Sequence, residues 1–308
     1  MKIVLLDALT LGDSDFTAFA KLGELTTYSV TNKEQRLQHI ADNEVILTNK
    51  VVIDAAIMEK NPQLKLICIT ATGTNNVDLI AAEKAGIIVK NVSGYSTESV
   101  AQSTFSILFQ LIHQSRYYDQ YTQTKGWSKS PTFTHISMPF SEIKGKRWGI
   151  IGLGEIGRRV AEIASVFGCD VCYFSASGNN NQQAYTQVDL NTLLTTCDII
   201  TIHAPLNDKT HNLIDADALQ KLKKGAVLLN LGRGGIVDEI AMAKAIDQYD
   251  IYHGTDVLAA EPMHSEHPYY EVKDKHRLVI TPHTAWASKE ARSSLIKMVV
   301  DNIQSSNF

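Results

Sequence analysis

The stretch Ile150-Ile151-Gly152-Leu153-Gly154-Glu155-Ile156-Gly157 constrains this chain more than any other. It reads as the exit of a buried strand, a glycine-rich turn and the start of a helix. Gly152 permits the tight turn, Gly154 has no side chain to hold a pyrophosphate off the backbone, and Gly157 lets the helix lie close on the strand. Phosphate oxygens then meet a helix N-terminus, where free N–H groups and the dipole favour negative charge. The flanks fit. Trp148–Ile151 is an apolar run of strand length, and Val160, Ile163, Ala164 and Phe167 recur on one helical face. Gly168 follows as a C-cap, and Val171-Cys172-Tyr173-Phe174 supplies the next strand. A G-x-G-x-x-G by itself is a weak signal. Inside a complete βαβ opening it predicts a dinucleotide site, against the alternative of a purely structural turn.

At 308 residues the chain has room for two domains, and 44% hydrophobic with 20% charged residues is the balance of a globular protein. Its net charge is −4 without a basic tract, which argues against nucleic acid or a membrane surface as partner. The opening Met1-Lys2-Ile3-Val4-Leu5-Leu6-Asp7 is too short for a signal-peptide core, and no stretch approaches a membrane span. A cytoplasmic enzyme is the expectation. Cys169-x-x-Cys172 has redox or metal spacing, yet it enters a strand rather than a strand-to-helix turn, so packing is expected. His264-x-x-His267 lies in a polar loop with no third ligand pattern, and no metal site is expected.

Residues 1 to about 97 alternate between strand and helix patterns. Ile3–Leu6, Thr26–Tyr28, Val45–Leu47, Leu64–Ile69 and Ile87–Lys90 read as short buried strands, with helices around Phe16–Leu22, Lys33–Ile40, Asp54–Lys60 and Val77–Ala85. This alternation predicts a parallel sheet covered on both faces. The turn Thr70 to Asn76 is rich in small residues, and its amides suit a small anion, or it is an ordinary connection. Ser96-Thr97-Glu98 opens a long helix through Val100, Phe105, Leu108 and Leu111 towards Tyr117. Residues 118 to 145 are less regular and are read as part of a dimer interface. A second alternation runs from Lys146, with strands at Ile199–His203, Ala226–Leu229, His253–Val257 and Leu278–Thr281. Helices are read near Leu190–Thr196, Ala216–Leu222 and Glu239–Ile246, and Ala285–Ile303 is the closing helix.

Ligands in open α/β sheets bind beyond the carboxyl ends of the strands, so strand exits are where chemistry is expected. Asn230-Leu231-Gly232-Arg233-Gly234-Gly235 places an arginine among glycines, and its planar fork suits a carboxylate. Asp256 ends the next strand and Glu261-Pro262 follows; Thr281-Pro282-His283-Thr284-Ala285-Trp286 follows the last. Each alone has an ordinary structural explanation.

Together these residues resemble the D-isomer-specific 2-hydroxyacid dehydrogenase family, over nearly the whole chain. The signatures are the glycine turn, His203-Ala204-Pro205-Leu206-Asn207 with Thr210, Asn230–Val237, Asp256 to Pro262, and Pro282-His283. Thr72 to Asp78, Gly94-Tyr95-Ser96-Thr97 with Val100-Ala101-Gln102, and His283 to Ser288 look like its glycerate dehydrogenase/hydroxypyruvate reductase branch. The resemblance implies an α/β protein of two Rossmann-like or flavodoxin-like domains with parallel sheets and the active site in the cleft between them. A discontinuous substrate domain spans 1–98 plus 286–308, an NAD-binding domain spans 99–285, and the protein is a homodimer. It implies Arg233 as substrate-binding arginine, His283 as acid/base and Glu261 as the acid that pairs with it. Thr72 and Gly73 match positions whose amides hold the substrate carboxylate, and Tyr95 and Trp286 are candidate pocket walls. Cofactor contacts fall to Gly152, Gly154, Glu155, Ile156, Gly157, Ser175, His203, Ala204, Pro205, Thr210, Leu231, Gly232, Asp256 and His283.

One position departs from the pattern. An acid ending the second strand normally binds the adenosine ribose. Here Ser175 stands in that place, followed by Ala176-Ser177-Gly178-Asn179, and no Lys or Arg occurs from Ser175 to Leu190 to meet a 2′-phosphate. Serine and asparagine hydrogen-bond either group, and Arg158 is the nearest cation beyond the turn. NAD is the expected cofactor, with NADP left open. The activity expected is hydride transfer between NAD(H) and a small 2-oxo or 2-hydroxy acid, foremost hydroxypyruvate or glyoxylate reduction and D-glycerate oxidation. A dehydrogenase of D-lactate or of a branched D-2-hydroxy acid is the alternative within the class. A nicotinamide-sensing, non-catalytic interaction protein is the alternative outside it.

Overall fold

The computed structural model describes residues 1–178 and 184–306, so Asn179, considered above for the adenosine end, lies outside the described residues. Two compact units make up the protein. One comprises Met1–Ser96 with Ala287–Phe308, the other Thr97–Trp286.

In the first unit, β1 (Lys2–Leu5), β2 (Glu24–Thr27), β3 (Val45–Thr48), β4 (Leu66–Ile69) and β5 (Ile88–Lys90) form a parallel sheet in the order β2-β1-β3-β4-β5. The sequence reason is visible in β3 and β4, every residue of which is buried. Helices cover both faces of such a sheet, so its inner strands are continuously apolar rather than alternating. Each aliphatic side chain buried this way contributes roughly 1.5–3 kcal/mol. The order reverses between β1 and β3. That crevice is filled by the protein itself, because the buried Asp7 carboxylate accepts the N–H groups of Asn49 and Lys50 and the Thr48 hydroxyl. Burial pushes the Asp7 pKa up, against these same hydrogen bonds.

In the second unit, β6 (Arg147–Ile151), β7 (Asp170–Phe174), β8 (Thr186–Gln187), β9 (Ile199–Ile202), β10 (Val227–Asn230), β11 (Tyr252–Thr255) and β12 (Leu278–Ile280) form a parallel sheet in the order β12-β11-β10-β9-β6-β7-β8. This is the dinucleotide-binding order, reversing between β6 and β9. Trp148 of β6 is fully buried, its Nε1–H donating to Thr201 Oγ1 at 3.1 Å, with the Phe105 ring 5.1 Å away. The helix Glu155–Val166 after β6 buries Gly157, Val160, Ala161 and Ala164. Phe167 is not part of that face. It lies just past the helix end, half-exposed beside Phe105 and Phe109.

The long helix expected to run towards Tyr117 is Thr97–Ile112, and a second helix, Ser115–Gln123, follows it. The break is at Gln114, which sits at φ 52° and donates its side-chain amide to Leu111 O at 2.7 Å. The second helix fully buries no residue and contains no aliphatic side chain, so no core-facing stripe marks it in the sequence. The edge strand β8 is two exposed residues and is silent for the same reason.

Candidate active site

The two strand exits flanking the reversal of the second sheet carry the glycine turn after β6 and His203-Ala204-Pro205 after β9. Gly152 has φ +93°, and a Cβ there would lie 2.8 Å from the Ala204 backbone, so the two exits meet only over a glycine. A Cβ on Gly157 would lie 2.2 Å from Gly152 O, whereas one on Gly154 meets nothing within 4 Å.

The helix N-termini differ in how they are capped. Asp54, Asp78, Asp189, Asp215, Asp238 and Ser288 each cap a following helix with a side-chain oxygen. The helix after the glycine turn begins at Gly154 with no side-chain cap. Its first N–H groups are left for an external acceptor, over open space. Beside it, both ring nitrogens of His203 are out of solvent and unpartnered among the described residues, and burial pushes its pKa down to about 3. Uncapped amides, a glycine over open space and an orphaned imidazole fit a nicotinamide dinucleotide.

Other residues expected at this site take more specific places. Ala204 and Leu231 are buried and Pro205 is exposed. The Thr210 hydroxyl braces its own loop, donating to Pro205 O and accepting the Asn207 N–H. Ser175 directly follows β7, buried, with its Oγ 3.4 Å from Ser177 Oγ. Arg158 is half-buried, Nη1 donating to Leu153 O.

Arg233 projects from the turn after β10. Asn230 shapes that turn, its Oδ1 accepting Gly232 N–H at 3.1 Å and its Nδ2–H donating to Arg233 O at 2.9 Å. The guanidinium is exposed, donates one bond to Gly232 O, and has no carboxylate at ion-pair distance among the described residues. It is a free cationic fork at a strand exit.

His283 follows β12 at φ +55°, uncommon for a residue other than glycine. Asp256 holds it there. The buried Asp256 carboxylate accepts Thr281 Oγ1–H at 2.6 Å, Thr284 N–H at 2.8 Å and Ala285 N–H at 2.9 Å, while its backbone O accepts His283 N–H. Burial pushes the Asp256 pKa up and those hydrogen bonds pull it back. Asp256, expected among the cofactor contacts, thus clamps the histidine's turn. His283 Nδ1 lies 2.7 Å from Glu261 Oε2, and Glu261 Oε1 accepts Leu258 N–H at 2.9 Å. With Nδ1–H committed to the carboxylate, Nε2 is the atom left to exchange a proton.

The structure therefore gathers Arg233, Glu261 and His283 in the second unit on the exits of adjacent strands β10, β11 and β12, and Asn230 and Asp256 hold two of them in place. Both clamps are polar residues ending strands, which is the signal that marks them. Trp286 packs half-buried on the core of the same unit.

In the first unit, the turn after β4 leaves the N–H groups of Thr72 and Gly73 without an acceptor among the described residues, and Thr72 O accepts Asn91 Nδ2–H. The Thr70 hydroxyl beside them is buried and unpartnered among the described residues. Tyr95 is half-buried.

The cysteines pack. Cys169 Sγ donates to Ile143 O, while Cys172 lies 3.5 Å from Cys197, all as free thiols. His264 is exposed and His267 bonds elsewhere; among the described residues no group of three or more His, Cys, Asp or Glu is placed to hold a metal ion.

Residues 105–285 match the family model described as D-isomer specific 2-hydroxyacid dehydrogenase, NAD binding domain. The chain is 33% identical to a hydroxypyruvate reductase from Blautia hydrogenotrophica, covering 99% of this chain and 96% of that protein. It is 36% identical to a glycerate dehydrogenase from Methylorubrum extorquens, covering 98% and 95%. Among solved structures it is similar to a protein from Thermus thermophilus, with a TM-score of 0.89 at 27% identity, covering 99% and 96%.

Proposed function

The chain belongs to the D-isomer-specific 2-hydroxyacid dehydrogenase family, NAD(P)-dependent enzymes acting on CH–OH donors, and from that premise we propose that it reduces hydroxypyruvate or glyoxylate with NADH and, in reverse, oxidises D-glycerate. The observation that carries the chemistry is the Glu261–His283 contact at 2.7 Å, which leaves Nε2 to exchange a proton.

We assign the uncapped amides of Gly154, Glu155 and Ile156 to the pyrophosphate. Gly152 and Gly157 make the turn possible, His203-Ala204-Pro205 and Leu231-Gly232 flank it, and Ser175 faces the adenosine ribose. The bound nicotinamide supplies or takes up the hydride at C2 of the substrate. Arg233 holds the substrate carboxylate and stabilises negative charge developing on the carbonyl oxygen. His283 gives its Nε2 proton to that oxygen in reduction and takes it back in oxidation, while Glu261 orients the ring and compensates its positive charge. The unpartnered amides of Thr72 and Gly73 are assigned to the substrate carboxylate, and Tyr95 and Trp286 to the pocket wall.

The relatives named hydroxypyruvate reductase and glycerate dehydrogenase support the small hydroxylated acid over lactate or a branched acid. Retention of an arginine with a free fork beside a carboxylate–imidazole pair argues against a non-catalytic sensor. Exposed Trp127, Phe133, Ile136 and Phe140, all in the segment before β6, support a homodimer with that surface covered. Dependence on a nicotinamide nucleotide supports a cytoplasmic setting; among the described residues no helix is long and apolar enough to cross a membrane.

The test is initial rates of NADH oxidation by the purified protein with hydroxypyruvate, glyoxylate, pyruvate and 2-oxoisocaproate. Highest kcat/KM with hydroxypyruvate or glyoxylate is expected. Preference for pyruvate or 2-oxoisocaproate would overturn the substrate assignment, and no turnover with any acid would overturn the reaction.

A further inference from the structure

We propose that Glu239, held in place by His267, is a positioning residue for this reaction, acting through the Leu258–Ala259 peptide on Glu261 and on the turn that carries Arg233. The proposal rests on the roles given above to Glu261, Arg233 and His283.

Two carboxylates grip consecutive amides. Glu261 Oε1 accepts Leu258 N–H at 2.9 Å, and Glu239 Oε1 accepts Ala259 N–H at 2.7 Å. Gly234 approaches the same peptide closely. A Cβ on Gly234 would stand 1.9 Å from Leu258 O and 2.4 Å from Ala259 N. The turn next to Arg233 therefore packs on the Leu258–Ala259 peptide of the turn leading to Glu261, and Glu239 holds that peptide by its N–H.

Glu239 is itself fixed from behind. Only 15% of its side chain is exposed, and its Oε2 lies 3.0 Å from Nε2 of the buried His267. His267 Nδ1 accepts Tyr269 N–H, so the ring proton sits on Nε2 and is donated to Glu239. Tyr269 is anchored in turn: its hydroxyl meets His253 Nε2 at 3.1 Å, and His253 Nδ1 meets Leu228 O at 2.9 Å. A buried hydrogen-bonded relay thus runs from β10 and β11 through Tyr269, His267 and Glu239 to the Ala259 amide. Glu239 is also the first residue of the helix Glu239–Gln248, where the dipole favours its charge. Such an arrangement locates a peptide closely, and an ångström of freedom at that peptide displaces Glu261 from His283.

A glutamine has one acceptor oxygen where glutamate has two, so Glu239→Gln must abandon either Ala259 N–H or His267 Nε2–H. Glu239→Gln, Glu261→Gln and the double variant are compared for kcat and KM with hydroxypyruvate, and for NADH binding by fluorescence. Glu239→Gln is expected to lower kcat by about tenfold or more, with NADH affinity retained. In the Glu261→Gln background the same change is expected to alter kcat by less than about twofold, because the group it positions is already lost. Equal losses in both backgrounds, or no loss in either, would overturn the proposal while leaving the site reading intact. Unchanged turnover in Glu261→Gln alone would remove that reading and this proposal with it. Should Glu239→Gln fail to fold, His267→Leu, which removes the donor that orients the Glu239 carboxylate, carries the same comparison in the same two backgrounds.

Discussion

Glu261 Oε2 lies 2.7 Å from His283 Nδ1, although the two residues are 22 positions apart and follow different strands. Each is set by a separate clamp: Glu261 by the Leu258 amide, and His283, at φ +55°, by Asp256. The pair is preorganised by the sheet rather than by local sequence.

His283→Ala is expected to lose about 10²- to 10⁴-fold in turnover, the range of a positioned acid–base group, while NADH binding survives. Steady-state kinetics beside a fluorescence titration check both halves. Normal turnover would sink the assignment.

Arg233→Gln removes the free fork. Hydrogen bonds to charged groups are worth about 1.5–3 kcal/mol, so kcat/KM for the 2-oxo acid should fall at least about tenfold. Arg233→Lys keeps the charge but not the bidentate geometry and should recover only part of the loss. Full activity in Arg233→Lys would mean that a point charge suffices.

The glycine turn separates folding from binding. Gly154 has extended backbone and open space where a Cβ would stand, so Gly154→Ala should stay within about 0.5 kcal/mol of the parent in unfolding, yet weaken NADH binding about tenfold or more, or roughly 1.4 kcal/mol. Gly157→Ala drives a methyl to 2.2 Å from Gly152 O and should cost about 1–3 kcal/mol of stability. Urea unfolding and NADH titration of the two variants should show opposite patterns. Tight NADH binding in Gly154→Ala would place the pyrophosphate elsewhere.

Two histidines whose ring nitrogens are out of solvent make stability depend on pH. Burial pushes the pKa of His253 down to about 4 and that of His203 to about 3, against about 6.5 in the unfolded state. Between those values the unfolded state binds more protons than the folded one, so stability rises with pH and is lost as pH falls below about 6.5 towards about 4 and about 3. The urea midpoint of the nucleotide-free protein should drop between about pH 7 and about pH 5, and drop less in His253→Gln. The same slope in both proteins would show that His253 takes no part.

Ser175 in place of an acid should leave a preference for NADH that is modest. Side-by-side kinetics with both nucleotides measure it, and Ser175→Asp should cut NADPH turnover about tenfold or more by repelling the 2′-phosphate, roughly 1.4 kcal/mol. A strong NADPH preference in the parent protein would refute the expectation.

Much of this is legible in the residues themselves. The fully buried strands β3, β4 and β9 read as apolar runs because both faces of a parallel sheet are covered. The glycine turn stands out because only glycine tolerates φ +93° beside Ala204. Arginine, glutamate and histidine are conspicuous as reactive types at strand exits. Backbone sterics and apolar periodicity act within a few residues, so a linear reading captures them. The helix Ser115–Gln123 escapes it because it fully buries no residue.

What a linear reading cannot supply is who holds whom. Asp256, expected at the cofactor, is seen to clamp the turn of His283, and Glu239 looks like an ordinary first-turn acid. His267, in the sequence half of an incomplete metal pair, turns its ring towards Glu239. These partners lie 20 to 29 positions apart. A hydrogen bond needs atoms within about 3 Å and has no sequence period. The sequence by itself determined the sheets, the dinucleotide turn and the reactive side chains; only the tertiary structure decided which amides and carboxylates meet, because that depends on the strand order that lays distant loops side by side.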